Sequence, residues 1–259
     1  MIRVDELREI AAVRRLSLEN AEKDYLLDLL LFHIYGEFGD TLVLKGGTAM
    51  YKLYSLNRFS EDLDFTLNRR RFDANGFVAK MLRLLALAGV EGKVREIGRF
   101  GTETNIRLAF RGPLYSGGRE SLCHVTLNIS QRERVQRSAK RELVMPVSRE
   151  VPSFHVFVMD EAEILAEKVR AVMTRNKPRD VYDIWFLLKR GTRPDVGLID
   201  RKLKIYGKRF SVTQFEKNVE EKRAFWKTDL RGLIMGDLPD FDMIKNGVMT
   251  GFAAETGEK

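Results

Sequence analysis

LVLKGGTAMYKLYSLNRFSEDLDFTL, residues 42–67, is the stretch of the sequence that decides the fold. Its first three residues are apolar and predict a short strand over residues 42–44, which a Gly-Gly turn follows. A short helix is predicted over residues 48 to about 56, and a second strand carries the acidic sequence Asp62-Leu63-Asp64. The stretch is therefore interpreted as one strand-turn-helix-strand unit.

Two carboxylates alternate along the second predicted strand. Alternate side chains share one face of a strand, so Asp62 and Asp64 project together while Leu63 and Phe65 point into the core. Like charges this close repel each other, and a divalent cation can satisfy both. An oxygen-only pair with open positions suits Mg²⁺, which takes one or two carboxylates together with substrate phosphates. The pattern predicts a magnesium site, and a solvated strand face is the plainer alternative.

The Gly-Gly turn has the chemistry of a phosphate-binding site. Gly46 and Gly47 allow backbone N–H groups to approach a ligand closely, and Thr48 begins a helix whose N-terminus favours anions. Two other interpretations stay open, because a Gly-Gly pair is common in ordinary turns and Thr48 can serve only as a helix N-cap.

The spacing of these motifs resembles that of a known superfamily. Thirteen residues separate Thr48 from Asp62, which is similar to the G-G-[S/T]…D-x-D signature of the DNA polymerase beta-like nucleotidyltransferases. The wording K-G-G-T-A…R-F-S-E-D-L-D-F resembles, more narrowly, the AbiEii/AbiGii toxin family, which includes the MenT toxins. The resemblance implies an α/β (α+β) fold, with a mixed sheet, flanking helices and a helical C-terminal part.

A helix is predicted from Asp160 to about residue 175. Asp160 and Glu163 have the spacing of a capping box. A helical wheel predicts a solvated face made of Glu163, Glu167, Arg170 and Thr174.

Two cations fall on the opposite, apolar face of this helix. Lys168 and Arg175 need anionic partners there, because an unpaired buried charge is costly. Three kinds of partner are possible: the Asp62 and Asp64 pair, an internal salt bridge, or the phosphates of a nucleotide.

A second helix is predicted over residues 179–188, with Asp180 and Asp183 on one face. An N-cap role for Asp180 and a first-turn role for Asp183 are the alternatives to a site role. The blocks E-x-x-A-E-K-V-R-A-x-x-x-R and K-x-R-D-x-Y-D-I-W-F-L again resemble the AbiEii family. The resemblance maps the family's lysine, arginine and two aspartates onto Lys168, Arg175, Asp180 and Asp183.

One strand position expected to be acidic holds an amide. Superfamily members place a third metal-binding carboxylate on a strand that corresponds to residues 122–129, where this chain has Asn128. The nearest acid, Glu133, follows the strand. An amide can coordinate a hard cation but brings no charge. Either two carboxylates hold the metal with phosphates and water, or an acid comes from elsewhere.

The remaining sequence predicts the other elements. Residues 1–41 are expected to be helical, with Ser17 as an N-cap, and Ser211 is expected to open a helix in the tail. A helix capped by Asp73 or Asn75 is predicted to end at Gly89. Strands are predicted over residues 93–97, 105–110, 122–129 and 154–159. A soft domain boundary near residue 150 separates residues 1–150, the nucleotidyltransferase core with its basic sheet region, from the mainly helical residues 151–259.

Composition narrows the location and the partners. The 259 residues hold one cysteine and no apolar run of the roughly 20 residues that cross a membrane. No secretory signal begins the sequence, so a cytoplasmic location is expected. The net charge is +8, and residues 66–150 carry 17 Lys and Arg against 8 Asp and Glu. This basic middle third favours a polyanionic partner, with solvated surface arginines as the alternative. Arg69, Arg70 and Arg71, next to the acidic strand, are open to the same two interpretations.

The resemblance implies an Mg²⁺-dependent nucleotidyltransferase. Asp62 and Asp64 are expected to bind the metal, and Lys168, Asp180 and Asp183 to complete the catalytic set. The candidate residues for binding an NTP (GTP or CTP) are Lys45, Gly46, Gly47, Thr48 and Arg175. The expected acceptor is the 3′ end of tRNA, and the expected protein partner is a cognate antitoxin.

Three alternatives stay open. The same core can transfer a nucleotide or a phosphate to a protein. A non-catalytic nucleotide-binding regulator and a basic nucleic-acid-binding module are the others.

Overall fold

The computed structural model describes residues 1–69 and 71–256, with side chains described through residue 253. Arg70, one of the three arginines named above, lies outside the described residues. The chain divides into two compact units. The first consists of Met1–Ser55, Phe59–Val135 and Ala139–Val158. The second consists of Leu56–Arg58, Gln136–Ser138 and Met159–Lys259.

In the described part of the chain, the first unit contains seven strands and four α-helices. The strands are β1 (Leu42–Lys45), β2 (Leu63–Leu67), β3 (Glu91–Phe100), β4 (Glu103–Arg111), β5 (Cys123–Ser130), β6 (Lys140–Val144) and β7 (Phe154–Val158). The helices are α1 (Val4–Arg14), α2 (Leu18–Phe38), α3 (Gly46–Tyr54) and α4 (Ala74–Leu87). The predicted α/β class, with a mixed sheet and flanking helices, is confirmed.

The strands form one sheet in the order β3-β4-β5-β2-β1-β7-β6. The pairs β2–β5 and β1–β7 are parallel, and the other neighbours are antiparallel. β1 and β5 therefore flank β2, the strand that carries Asp64, at the centre of the sheet. Leu63 and Phe65 are fully buried, as the alternation predicts, and Asp62 lies one residue before β2 begins.

Local signals placed several helix ends correctly, although α3 spans Gly46–Tyr54 and begins two residues before its predicted start at Thr48. Ser17 accepts a hydrogen bond from the Asn20 N–H at the start of α2, and Asp73 does the same for Asn75 before α4. Gly89 follows α4 with a φ of +78°, a conformation that favours glycine. These caps confirm the predicted helices.

One strand was not predicted. β6, with the sequence Lys-Arg-Glu-Leu-Val, lacks an apolar run and pairs antiparallel with β7 at the edge of the sheet. Charged side chains are typical of an edge strand, because they oppose pairing with other chains. The sequence of β6 is therefore typical of a loop, although its backbone is paired with β7.

A buried ion cluster joins α2 to α3. The Lys52 Nζ lies 2.5 Å from Asp24 Oδ1 and 2.6 Å from Asp28 Oδ1, and the lysine side chain is 1% exposed. Burial raises the pKa of Asp28 to about 6. The positive charge of Lys52 opposes this rise, and the negative charge of Asp24 adds to it. The carboxyl of Asp28 is thus costly to ionise in the folded protein.

The second unit is helical in its described part. Its α-helices are α5 (Glu161–Thr174), α6 (Arg179–Lys189), α7 (Val196–Lys204), α8 (Val212–Glu220), α9 (Trp226–Leu230) and α10 (Phe241–Thr256). Asp160 caps α5 and Ser211 caps α8, as predicted. Residues 56–58 belong to this unit because Asn57 accepts a hydrogen bond from the Met235 N–H and Arg58 forms a β-bridge with Ile234.

Among the described residues, no helix combines the length and the apolar character that crossing a bilayer requires.

The raised pKa of Asp28 predicts a pH-dependent stability. The folded pKa of about 6 exceeds the value of about 3.9 expected for the unfolded chain, so the folded state binds more protons between these values. The free energy of unfolding is therefore expected to fall as the pH rises from about 4 to 6, by on the order of 2 kcal/mol from this residue. Urea denaturation across this pH range should show that the free energy of unfolding depends less on pH in Asp28→Asn than in the wild type. An Asp5→Asn control, which changes an exposed carboxylate, should keep the slope.

Candidate active site

The Asp64 carboxylate lies directly against the Gly46 turn. β1 and β2 pair antiparallel with Lys45 opposite Asp64, so the side chains of these two residues share a face. Gly46 follows with a φ of +69°, and a Cβ atom built on it would lie 2.7 Å from Asp64 Oδ2. The contact requires glycine for both its conformation and its missing side chain.

Thr48 fixes the segment that carries Asp62. Its hydroxyl donates a hydrogen bond to the Asp62 carbonyl and lies 2.9 Å from Ser60 Oγ. Thr48 is fully buried and belongs to the first turn of α3, whose N-cap is Lys45. The N-cap alternative for Thr48 is therefore wrong, because the helix begins at Gly46 and the hydroxyl is bonded to the acidic segment.

The two carboxylates repel each other. Burial raises the pKa of Asp62, and the charge of Asp64 raises it further, while a hydrogen bond with the Thr126 side chain opposes the shift. Both aspartates are partly exposed. A cation that bound both would remove the repulsion, so the carboxylate oxygens fit a hard divalent ion. Among the described residues, no three Asp, Glu, His or Cys side chains form a metal-binding cluster.

Asn128 lies beside this pair as a hydrogen-bond donor. β2 and β5 place it opposite Asp64, and its Nδ2 donates to Asp64 Oδ1 over 2.9 Å. Thr126, two residues earlier on the same face of β5, contacts Asp62. Sequence reasoning missed Thr126, although the alternation of β5 places it on the same face as Asn128.

In the second unit, Lys168 is held by two buried aspartates. Its Nζ lies 2.9 Å from Asp180 Oδ1 and 2.6 Å from Asp183 Oδ2. Arg175 Nε donates to Asp180 Oδ2 over 2.7 Å. The internal salt bridge, one of the three partners considered for Lys168, is present. Asp180 does not cap α6, because Pro178 is the N-cap and the carboxylate is bonded to these cations.

Arg58 completes the network and was missed in the sequence. Its Nε and Nη2 donate to the two oxygens of Asp183, each over 2.7 Å. Both side chains are buried. Arg58 begins the R-F-S-E block that carries the family resemblance, so the motif itself was a signal for this residue.

Opposite charges dominate the ionisation of the two aspartates. Burial alone would raise the pKa of Asp180, but Lys168 and Arg175 lower it well below the usual range. Burial likewise opposes ionisation of Asp183, and Arg58 and Lys168 reverse the effect and lower its pKa. Both carboxylates are therefore anionic at neutral pH.

The solvated face predicted for α5 is wrong at two positions. Glu163 is fully buried and Glu167 nearly so, because Lys202 of α7 lies 2.7 Å and 3.0 Å from their respective Oε1 atoms. Glu163 also accepts hydrogen bonds from the backbone N–H groups of Gln136 and Arg137. The α5 acids meet charged and polar partners inside the unit instead of water.

Comparisons with known proteins identify the class. The family model described as "Nucleotidyl transferase AbiEii toxin, Type IV TA system" matches residues 29–246. The structure is similar to MenT4, a nucleotidyltransferase toxin from Mycobacterium tuberculosis H37Rv, with a TM-score of 0.70 and 20% identity over 100% of this chain and 91% of that chain. It also resembles JHP933 from Helicobacter pylori, with a TM-score of 0.57 and 18% identity over 93% and 94% of the two chains. No curated protein matches by sequence.

The fold and the family model together define a nucleotidyltransferase. The chain belongs to the AbiEii family of toxin nucleotidyltransferases, as the sequence motifs indicate. Membership implies an NTP as substrate and an antitoxin as a partner of the toxin.

Substitutions at Asp183 and at Lys168 are expected to lower the free energy of unfolding by different amounts. Asp183→Asn neutralises the buried carboxylate that pairs with both Arg58 and Lys168 and should destabilise by about 3–5 kcal/mol. Lys168→Met should cost less, about 1–3 kcal/mol, because each aspartate keeps an arginine partner. Urea denaturation followed by circular dichroism measures both, and a reversed order would contradict this account. Since the pKa of Asp183 is lowered on folding, the penalty of Asp183→Asn should shrink as the pH falls below about 4.

Proposed function

We propose that this chain transfers a nucleotide from an NTP to RNA, with Mg²⁺ bound by Asp62 and Asp64. The observation that carries the proposal is the contact of Asp64 Oδ2 with the Gly46 turn, beside a second carboxylate, Asp62, whose pKa is raised by burial and by the charge of Asp64. A carboxylate pair and a helix N-terminus thus adjoin in one unit, which suits a metal-bound triphosphate.

The residues of this unit divide the work of binding. Mg²⁺, when bound, would supply positive charge that neutralises the triphosphate and orients it for in-line transfer. Gly47 and Thr48 belong to the first turn of α3, and their backbone N–H groups are candidates to receive phosphate oxygens. Lys45, opposite Asp64 in the ladder, adds a cation next to the same turn. Gly46 keeps the turn clear of a side chain.

We propose an electrostatic role for Lys168 and Arg175. Lys168 neutralises charge that develops on the phosphates, and Arg175, whose side chain is half exposed, assists. Asp180 and Asp183 orient Lys168 and do not act as bases, because their pKa values are lowered and their oxygens are bonded to cations. Of the two possible roles, orienting Lys168 or acting as the base for an incoming hydroxyl, we therefore propose the first.

An open sheet face beside the carboxylates supports an RNA acceptor. Asp64, Asn128, Asn105 and Gly98 lie opposite one another across β2, β5, β4 and β3, which spans about 14 Å at the usual strand spacing. The ring of Phe100 lies over Gly98, where an added Cβ would be 2.7 Å from the ring, and this side chain is 68% exposed. An exposed aromatic ring is a platform on which a nucleic-acid base can stack.

A cavity on the same face is lined in part by Thr126. It has a volume of about 320 Å³, and Arg107, His124 and Thr126 are among the residues that line it. Thr126 is the residue that hydrogen-bonds to Asp62. The volume is at the lower end of the range of ligand pockets, about 300–1,000 Å³. We propose that this cavity receives the terminal nucleotide of the acceptor.

The acceptor we propose is the 3′ end of tRNA, the NTP is GTP or CTP, and the reaction takes place in the cytoplasm. The basic excess of residues 66–150 supports a polyanionic acceptor. A cognate antitoxin would silence the activity. The non-catalytic and protein-modifying alternatives predict no transfer to RNA, so one assay separates them from the proposal.

Transfer is expected to require Asp64 without depending on it for folding. Asp64→Asn is nearly isosteric and removes one of two repelling anions, so thermal stability should be retained while transfer is lost. Purified protein, Mg²⁺ and each labelled NTP in turn should be incubated with total tRNA or with cell protein. Label on tRNA that disappears in Asp64→Asn supports the proposal, and label on protein alone would overturn the RNA acceptor. Asp40→Asn, at an exposed carboxylate outside the site, is the matched control.

The stacking platform predicts an RNA-binding defect. Phe100→Ala should weaken tRNA binding by about 1–3 kcal/mol, because it removes one base-stacking ring, and leave NTP binding unchanged. Filter binding at several salt concentrations measures the affinity. Phe225→Ala removes a half-exposed phenylalanine of the second unit and should bind tRNA like the wild type. Equal affinities for both variants would remove Phe100 from the acceptor surface.

A further inference from the structure

We infer that Asn128 and Asn105 are positioning residues that fix the orientation of the Asp64 carboxylate for cation binding. The inference rests on the proposed function, since it concerns how this chain prepares one of the two proposed metal ligands. Asn128 lies opposite Asp64 in the β2–β5 pair and opposite Asn105 in the β4–β5 pair, so the three side chains form one row.

The hydrogen bonds in this row have a defined direction. Asn105 Nδ2 donates to Asn128 Oδ1 over 2.5 Å, and Asn128 Nδ2 donates to Asp64 Oδ1 over 2.9 Å. A side-chain amide has an oxygen acceptor on one side and an NH₂ donor on the other. Because Asn105 occupies the oxygen of Asn128, the donor side of Asn128 must face Asp64. We call this pair of bonds the amide relay.

The amide relay gives the two oxygens of Asp64 different tasks. Oδ1 accepts from Asn128, and Oδ2 faces Gly46 at the turn. The carboxylate is therefore held in one rotation, with Oδ2 on the side where the proposed phosphates and cation bind. Partners that orient a ligating side chain in this way typically change metal affinity by 10–100-fold.

The amide relay also explains why Asn128 does not replace a third metal carboxylate. Its oxygen is turned toward Asn105 and away from Asp64, so it is not directed at the cation. A carboxylate at position 128 would have no proton to donate and would repel Asp64. The amide holds Asp64 without adding charge, and the site keeps the two negative charges of Asp62 and Asp64.

Mn²⁺ binding to the full chain tests the amide relay without an activity measurement. Free Mn²⁺, measured by electron paramagnetic resonance, gives the dissociation constant of each variant in the absence of nucleotide. Asn105→Ala and Asn128→Ala are each expected to weaken binding by about 10-fold or more. The Mn²⁺ affinity of the double variant should lie within about 2-fold of that of the single variant that binds less tightly, because both changes break the same relay. Asn75→Ala, at an exposed position at the start of α4, should bind like the wild type.

The decisive variant is Asn105→Ala, because in the amide relay Asn105 acts on Asp64 only through Asn128. Wild-type affinity in Asn105→Ala would overturn the inference, and so would independent, multiplicative losses in the double variant. If Asn128→Ala fails to fold, Asn105→Ala alone decides. A second readout is the ¹H–¹⁵N signal of the Asn128 side-chain NH₂, which should exchange faster with solvent in Asn105→Ala.

Asp64→Asn separates failure of this inference from failure of the proposed function. If Asp64→Asn binds Mn²⁺ as the wild type does, Asp64 is not a ligand and the proposed metal site is wrong. If Asp64→Asn loses binding while Asn105→Ala keeps it, the metal site stands and only the amide relay is wrong.

Discussion

The close approach of the Asp64 carboxylate to the Gly46 backbone is the constraint on which the candidate site depends. It arises from the pairing of β1 with β2, which places Lys45 opposite Asp64 just before the chain turns into α3. Any side chain at position 46 would meet Asp64 Oδ2. The turn, the start of the helix and the acidic strand are therefore not separate motifs, because each fixes the position of the other two.

Much of the fold could be predicted because its signals are local. Alternating apolar residues predicted β2, β4 and β5, and the caps at Ser17, Asp73 and Asp160 predicted the helix starts. The motif around β1 and β2 also predicted the family. β6 escaped because it is an edge strand rich in charged residues, and its place in the ladder depends on β7, which is distant in sequence.

The charged residues were harder to predict because their partners come from distant segments. A helical wheel treats Glu163 and Glu167 as solvated, but Lys202 neutralises both from α7. The wheel correctly assigned Lys168 to the buried side, and the need for an anion was correctly inferred. The wheel could not show that Asp180 and Asp183 both bind Lys168. It also could not show that Arg58, from another part of the chain, pairs with Asp183. Amphipathic periodicity reports burial and does not report pairing.

The origin of Arg58 has a consequence for the way the helical unit is built. This unit lies mostly after residue 158, yet Arg58, one of the two cations that pair with Asp183, comes from the three-residue segment Leu56–Arg58. A fragment that began at Met159 would keep α5 to α10 and Lys168, but it would lack the guanidinium that pairs with both oxygens of the buried Asp183 carboxylate. A single start position in the sequence therefore does not define a fragment that contains the whole folded unit. Dissection of this chain by truncation would remove an electrostatic partner along with the sheet.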